Sequence, residues 1–470
     1  MNENDRTKYF HGKLLTEKDF KNEQEYIHSK RGDKKDMNGD TFYDIHMHAF
    51  NLSHPNLLAF INRLGMGKLL FYNSIIAPLF NIPGIGGWLK GYANKKLISI
   101  KNLLSVMEND MGSFFLLMEN YLRDPKYSLL DKDGLHIGGS TYSRIVLTPL
   151  MMDFGYMDMK TEAIYYDIQP QKPIVEQVVD VFNGIKKYKE AKSSKELMEK
   201  FPNLEPGTDR VFEIYPFLGL NTKNYKLEKL KVMLDKYFKD YKGIRGDLYA
   251  NMGKFDNDIE KMTGNFFAGI KVYPPLGFDP WPEKDPVEEN KVRYLYQYCC
   301  DKEIPITAHG SGGGFVVVGE KVLKDYTSIS KWGKVLKEYP KLQLNLAHFP
   351  MKEKCFKFFP DPRHKRLKAM IELVLNNENV YVDFSCRATN VKYYQKLRNE
   401  INKLSDEQKE KIMSRILFGS DFTVNLMSIE SYNHYLNVFS SNGHFSQEEK
   451  KSFCSINPEE FLFTKPRTNA

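Results

Sequence analysis

The stretch TFYDIHMHAF, residues 41–50, places Asp44, His46 and His48 two residues apart. Strand side chains alternate between faces, so residues at this period share one face. Two imidazoles side by side on a strand converge on one point, which is the geometry of a metal clamp. A lone strand histidine is ordinarily a core residue with a satisfied ring, and His-x-His by itself leaves both readings open. Three further residues shift the balance. His309 in ITAHGS, His348 in LNLAHF and Asp421 in LFGSDF each end an apolar run. Imidazoles and a carboxylate buried at strand ends are costly to desolvate without a purpose. As a ligand set without thiolate they suit zinc, manganese or iron, and less often nickel.

These residues need strands to position them. Eight segments read as strands: 41–50, 144–154, 210–220, 267–277, 304–310, 342–349, 380–385 and 415–422. Amphipathic helical patterns such as VRYLYQYCCDK and RLKAMIELVLNN lie between the later ones. Strand alternating with helix indicates a parallel sheet. Lys271, His309, His348, Phe384 and Asp421 follow one another at steps of 38, 39, 36 and 37 residues. A β/α unit with its loops takes about 30 residues or more, so these positions sample the same point of successive units. The expectation is an α/β chain forming a closed (β/α)8 TIM barrel, with its chemistry at the C-terminal strand ends. The barrel is expected over 41–465, preceded by a polar N-terminal arm at 1–40. A large helical insertion, 51–140, follows the first strand, and a second lysine-rich stretch lies near 155–205.

Composition bounds the partners. With 41% hydrophobic and 27% charged residues the chain is globular. The net charge of +8 is spread through helices such as KLEKLKVMLDKYFKDYKG, where acids alternate with lysines. No basic patch interleaved with aromatics marks a nucleic-acid module, so no nucleic-acid partner is expected. Five cysteines without paired spacing, at 299, 300, 355, 386 and 454, fit a reduced cytoplasmic protein. MNENDRTKYFHGKLL lacks the basic start and apolar stretch of a signal peptide. The apolar run 69–89, LLFYNSIIAPLFNIPGIGGWL, has the length of a membrane span, but Pro78, Pro83, Gly84, Gly86 and Gly87 interrupt it. It reads as a hairpin of short helices serving as a cap; contact with a membrane, a partner or an apolar substrate is the other reading.

Together, D-x-H-x-H on the first strand, His309, His348 and Asp421 resemble the amidohydrolase superfamily. GIKVYPPLGFDP, PITAHGS, LNLAHFP, LFGSDF and NPEEFLF are similar to its amidohydrolase-related branch, which includes aminocarboxymuconate-semialdehyde decarboxylase, resorcylate decarboxylases and lactone hydrolases. The resemblance covers 41–50 and 205–465. It implies His46, His48, His309 and Asp421 as metal ligands, with His348 beside the metal, polarising substrate or holding a second ion. Asp421 would also move protons. Lys271 has three readings: a bystander of a single metal, a carboxylated bridge between two ions as in dihydroorotases, or an ion-pair partner of a substrate carboxylate. One ion is the expectation, zinc before manganese or iron.

The other motifs add less. HGSGGGF, 309–315, lacks the Gly-Lys-Ser/Thr of a phosphate loop and reads as a tight loop that lets backbone approach a ligand, or as a plain turn. Arg387 in DFSCRA reads as a carboxylate clamp or a surface arginine. Lys271, Tyr273 and Arg387 are the expected substrate-orienting residues, for an anionic small molecule. Asp44, deeper on the first strand, is expected to support the site by hydrogen bonding. His364, His11, His28, His136, His434 and His444 have no strand-end placement.

The chemistry expected of such a site is metal-activated water attacking a lactone, amide or related carbonyl, with Asp421 taking and returning the proton. The alternative is non-oxidative decarboxylation of a small carboxylic acid on the same ligands. A non-catalytic binding barrel is the third reading. A homodimer is the default assembly.

Overall fold

The structure is a computed structural model; it describes residues 8–10, 13–15, 41–55, 100–155, 173–191, 195–204, 210–351 and 362–463. The run 69–89 lies outside the described residues, as does the arm apart from a short antiparallel hairpin, Lys8–Phe10 with Lys13–Leu15.

Each of the eight expected segments contains a strand. They are β1 (Thr41–Met47), β2 (Arg144–Pro149), β3 (Phe212–Ile214) with β4 (Phe217–Gly219), β5 (Gly269–Val272), β6 (Ile306–Ala308), β7 (Leu344–Leu346), β8 (Val380–Asp383) and β9 (Ile416–Leu417). The third segment divides because Pro216 stands between β3 and β4 and has no amide to donate to a ladder. All pairings among β1–β9 are parallel. β4 to β9 form a six-stranded sheet in sequence order, and β1, β2 and β3 form a three-stranded one.

The two sheets meet at two seams. At one, Leu150 bridges to Phe217, and Met151 N donates to Phe217 O at 3.1 Å. At the other, Ile45 N donates to Phe418 O at 3.2 Å and Asp421 N to His46 O at 2.6 Å. In place of the expected closed ladder, two sheets are joined by an isolated bridge and a few backbone hydrogen bonds, a mixed α/β arrangement consistent with a distorted (β/α)8 barrel. The second seam matters for function, because it brings the end of β1 against the loop after β9.

Helices cover the outside. Among them are α1 (Met111–Leu122), α2 (Ile174–Glu190), α3 (Leu227–Phe238), α4 (Pro286–Lys302), α5 (Ile329–Glu338), α6 (Pro362–Asn376), α7 (Val391–Ile401) and α8 (Tyr432–Ser441). The cues for their ends are local. Asp110 caps α1 through Gly112 N and Ser113 N; Asp285 caps α4 through Glu288 N, with Pro286 in the first turn. Within the insertion, α1 lies in the apolar-periodic stretch that the sequence marks as helical, and residues 100–107 are helical as well. Strands covered on both faces carry buried residues throughout, as β5 to β9 do. Their inward layer holds the polar residues Lys271, Thr307 and Asn345, paired in register across β5, β6 and β7. Among the described residues, no helix is long and apolar enough to cross a membrane.

Candidate metal centre

β1 delivers His46 and His48 to the seam with the loop after β9, where Asp421 sits. One ligand atom from each of the three lies within 4.8 Å of the others, and all three residues are buried. The Asp421 Oδ1 atom is 3.1 Å from His48 Nε2 and 3.5 Å from His46 Nε2.

The far side of each ring fixes what the near side offers. His48 Nδ1 is 2.9 Å from Leu150 O, a carbonyl that can only accept. His46 Nδ1 is 2.9 Å from Asp383 Oδ2. With both Nδ1–H groups donating outward, both Nε2 atoms are lone pairs aimed at one carboxylate oxygen. Three electron-rich atoms facing one another, with no proton between them, call for a cation. His46 Nε2 is buried and makes no hydrogen bond among the described residues. The donor set therefore fits a divalent metal, and its two-imidazole, one-carboxylate composition forms a single three-ligand site.

Electrostatics agree. Burial, and then the charge of Lys271, lower the pKa of His46, so it is a neutral ligand at pH 7. Burial alone would raise Asp421, but the adjacent His48, His348 and His46 imidazoles outweigh it and hold the carboxyl well below its usual range. Asp383 is likewise held low against burial by His46, His348 and Ser385.

The other expected residues gather around this triad in different ways. His309 stands outside the 4.8 Å group, across His348. Its Nδ1 is 3.0 Å from His348 Nε2, and its Nε2 is 2.9 Å from Ser311 Oγ and 2.8 Å from Gly313 O. His348 Nδ1 faces the Ser385 carbonyl at 3.0 Å. The Ser385 and Gly313 carbonyls can only accept, so His348 Nδ1–H and His309 Nε2–H donate to them, which leaves His348 Nε2 and His309 Nδ1 as facing lone pairs. Burial depresses His348 to about 3 and His309 well below its normal value. Tyr273 stacks on His309, with ring centroids 4.1 Å apart.

Lys271 is 1% exposed, and among the described residues its Nζ has no hydrogen-bond partner. Burial lowers its pKa to about 8, opposed by the charges of Asp383 and Asp421. Asp44 is not one of the three grouped ligands. Its Oδ1 accepts from Ser420 N at 2.9 Å and His46 N at 3.3 Å, and its Oδ2 accepts from Tyr432 Oη at 3.1 Å. It ties β1 to the loop that carries Asp421, and burial pushes its pKa up to about 7.

A cavity of about 140 Å³ opens on the centre, lined by His48, His309, His348, Asp421, Tyr273 and Arg387 among others. Its glycine-rich wall is sterically required: at Gly314, with φ +98°, a Cβ would lie 2.1 Å from Tyr273 Oη. Behind His48, the rings of Phe50, Phe154 and Phe315 pack edge-on at centroid distances of 5.4–6.3 Å, an apolar wall that excludes water. His348, Cys386 and Asp421 all adopt left-handed φ of 59–65°. Each lies just past a consecutive strand, and such strain clusters where side chains are held for function.

Sequence reasoning missed Asp383 and Ser385. Besides His46, Asp383 accepts from Asn345 Nδ2 at 2.7 Å and from His348 N at 3.1 Å, and Ser385 Oγ lies 3.0 Å from His46 Nδ1. The signal was present in VYVDFS, where an aspartate interrupts an apolar strand much as Asp44 does.

Residues 254–464 match the family model described as Amidohydrolase. That stretch carries β5 to β9, with Lys271, His309, His348 and Asp421; His46 and His48 lie before it. The match supports membership of the amidohydrolase superfamily. No curated protein matches the chain. Similar solved structures include a dihydroorotase from Campylobacter jejuni, at 15% identity over 75% of this chain and 80% of that one, TM-score 0.34. A manganese-bound 5-carboxyvanillate decarboxylase from Novosphingobium aromaticivorans shows 10% identity over 90% and 96%, TM-score 0.39. A phosphotriesterase homology protein from Escherichia coli shows 11% identity over 90% and 98%, TM-score 0.39. Likenesses at these scores carry no weight for activity. The family match and the metal triad support a metal-dependent enzymatic role for this chain.

Proposed function

We propose that this protein is a metal-dependent hydrolase of the amidohydrolase-related branch, acting on a lactone, amide or related carbonyl compound that carries negative charge. The observation that carries the reading is the convergence of the His46 and His48 Nε2 lone pairs on Asp421 Oδ1 while both Nδ1 atoms are tied to acceptors. His46, His48 and Asp421 hold the ion, zinc before manganese or iron, and His309 is the further ligand that the family resemblance names. When bound, the ion supplies Lewis-acid polarisation and makes water a nucleophile near neutral pH.

The chain's own groups do the rest. Asp421, ionised at neutral pH, takes the proton from the attacking water and returns it to the leaving group. His348, with a pKa of about 3, stays neutral and is the second histidine that the family resemblance places beside the metal. Tyr273 and Arg387 line the cavity where the substrate would lie, and Arg387 supplies the charge that an anionic group needs. Lys271 lies beneath, adding positive potential beside Asp383 and Asp421.

Decarboxylation on the same residues is the competing reaction, because an arginine beside the centre suits a carboxylate equally. Turnover of candidate substrates in ¹⁸O-labelled water decides between them. Label in the product carboxyl establishes hydrolysis. Carbon dioxide release with no label in the remaining product overturns it in favour of decarboxylation.

A further inference from the structure

Arg387 lines a second cavity as well as the one on the metal centre. This neighbour, of about 250 Å³, is bounded by Arg363, Arg387, Lys392 and Lys396, with Asn390, Tyr393 and the segment Pro350–Met351. Four of its lining residues are cationic, and among the described residues none of those lining it is acidic. The walls come from the beginnings of two helices. Arg363 sits in the first turn of α6, and Asn390 and Lys392 flank the start of α7. Helix N-termini present partial positive charge and unpaired amides, and both here are on helices long enough to express it. Asn390, the cap of α7, makes no side-chain capping bond, so its side chain is not spent on the helix's own amides.

The cationic crowding is costly to maintain. Arg366, one turn along α6 from Arg363, has its pKa lowered to about 10 by burial and by the charge of Arg387. Among the described residues the buried Nε of Arg387 has no hydrogen-bond partner. Tyr393 anchors α7 by donating to Phe349 O at 2.8 Å, which keeps the helix start against the loop that follows His348. Guanidinium and ammonium groups gathered around a cavity, with no carboxylate among the described residues that line it, make a preorganised oxyanion site.

We infer that this cavity binds an oxyanion, and that the substrate is a small molecule with two separated functions: a reacting carbonyl at His46, His48 and Asp421, and a carboxylate or phosphate group held by Arg363, Lys392 and Lys396, with Arg387 between. The placement of the reacting carbonyl rests on the proposed metal-centre reading; the oxyanion site itself does not. Such an arrangement spends remote binding energy on fixing the reacting group.

The test is calorimetric titration of the full chain with inorganic phosphate, in metal-loaded and in chelator-stripped protein. Saturable binding is expected in both. The double variant Lys392→Glu/Lys396→Glu should weaken it about tenfold or more, with metal content and melting temperature unchanged. Both lysines have solvent access, so reversal of their charge leaves the core intact. Succinate added in competition separates the two sources: displacement of phosphate supports a carboxylate, and resistance to displacement supports a phosphate ester. Absence of saturable binding, or affinity untouched by the double variant, overturns the inference. Phosphate that binds only to metal-loaded protein also overturns it and leaves the metal centre standing. Failure to load metal while phosphate still binds overturns the metal reading alone.

Discussion

His46 Nδ1 lies 2.9 Å from Asp383 Oδ2, and neither side chain reaches solvent. The contact joins β1 to β8, strands 337 residues apart in sequence. It sets the ring's tautomer and so decides that Nε2 is the metal-facing lone pair. Carboxylates that orient a ligating histidine typically contribute 10–100-fold to metal affinity. Asp383→Asn keeps an acceptor and is expected to lose about tenfold in affinity; Asp383→Ala should lose about 100-fold. Competition against a chromophoric chelator measures both. Affinity equal to wild type in the alanine variant would show that His46 is held by something else.

Metal stoichiometry bears on Lys271. One ion per chain is expected in wild-type protein, and His48→Ala should retain well under half an ion after dialysis. Elemental analysis reads both. Two ions per chain would revive the carboxylated-lysine bridge, and full retention by His48→Ala would remove His48 from the ligand set.

Lys271 also makes a prediction about pH. Its folded pKa, about 8, lies below the unfolded value of 10.5, so the native state binds fewer protons between them. Stability from this group therefore rises as pH climbs from about 8 to 10.5, and at pH 7 the buried ammonium costs roughly 3 kcal/mol. In metal-stripped protein, Lys271→Met should be more stable than wild type by about that amount at pH 7, and the difference should shrink toward pH 10. Denaturant titrations across this range measure it. A variant less stable at pH 7 would show that the ammonium is compensated.

Gly419 is placed where β1 meets the loop after β9. A Cβ there would lie 2.6 Å from His46 Cβ and 3.4 Å from His46 N. Neither neighbour can move without displacing the ligand. Gly419→Ala is expected to cost about 1–3 kcal/mol of stability and to weaken metal binding together with it. Loss of stability with unchanged metal affinity would mean that β1 relaxes away from the site.

The sequence by itself determined the strands and the faces of the key residues. Alternation is a local property, so D-x-H-x-H predicts one face for Asp44, His46 and His48, but the pairing of β1 with β2 shifts register between Asp44 and Met47, and His48 lies just past the strand. Regular spacing from Lys271 to Asp421 places each of those residues at or beside a strand end, because each β/α unit repeats the same local path. What the sequence could not contain is register between distant strands. Asp383 became a partner of His46 only because β8 and β1 flank β9 and the second seam. His309 turned toward His348, Ser311 and Gly313 because the loop after β6 folds back on its own histidine. Pro216 was visible, but that its missing amide falls where the ladder passes from one sheet to the other is a matter of tertiary pairing. Arg387 read equally as a clamp or as a surface side chain. Its place between two cavities was settled by the packing of α6 and α7, since a long side chain takes its direction from what surrounds it.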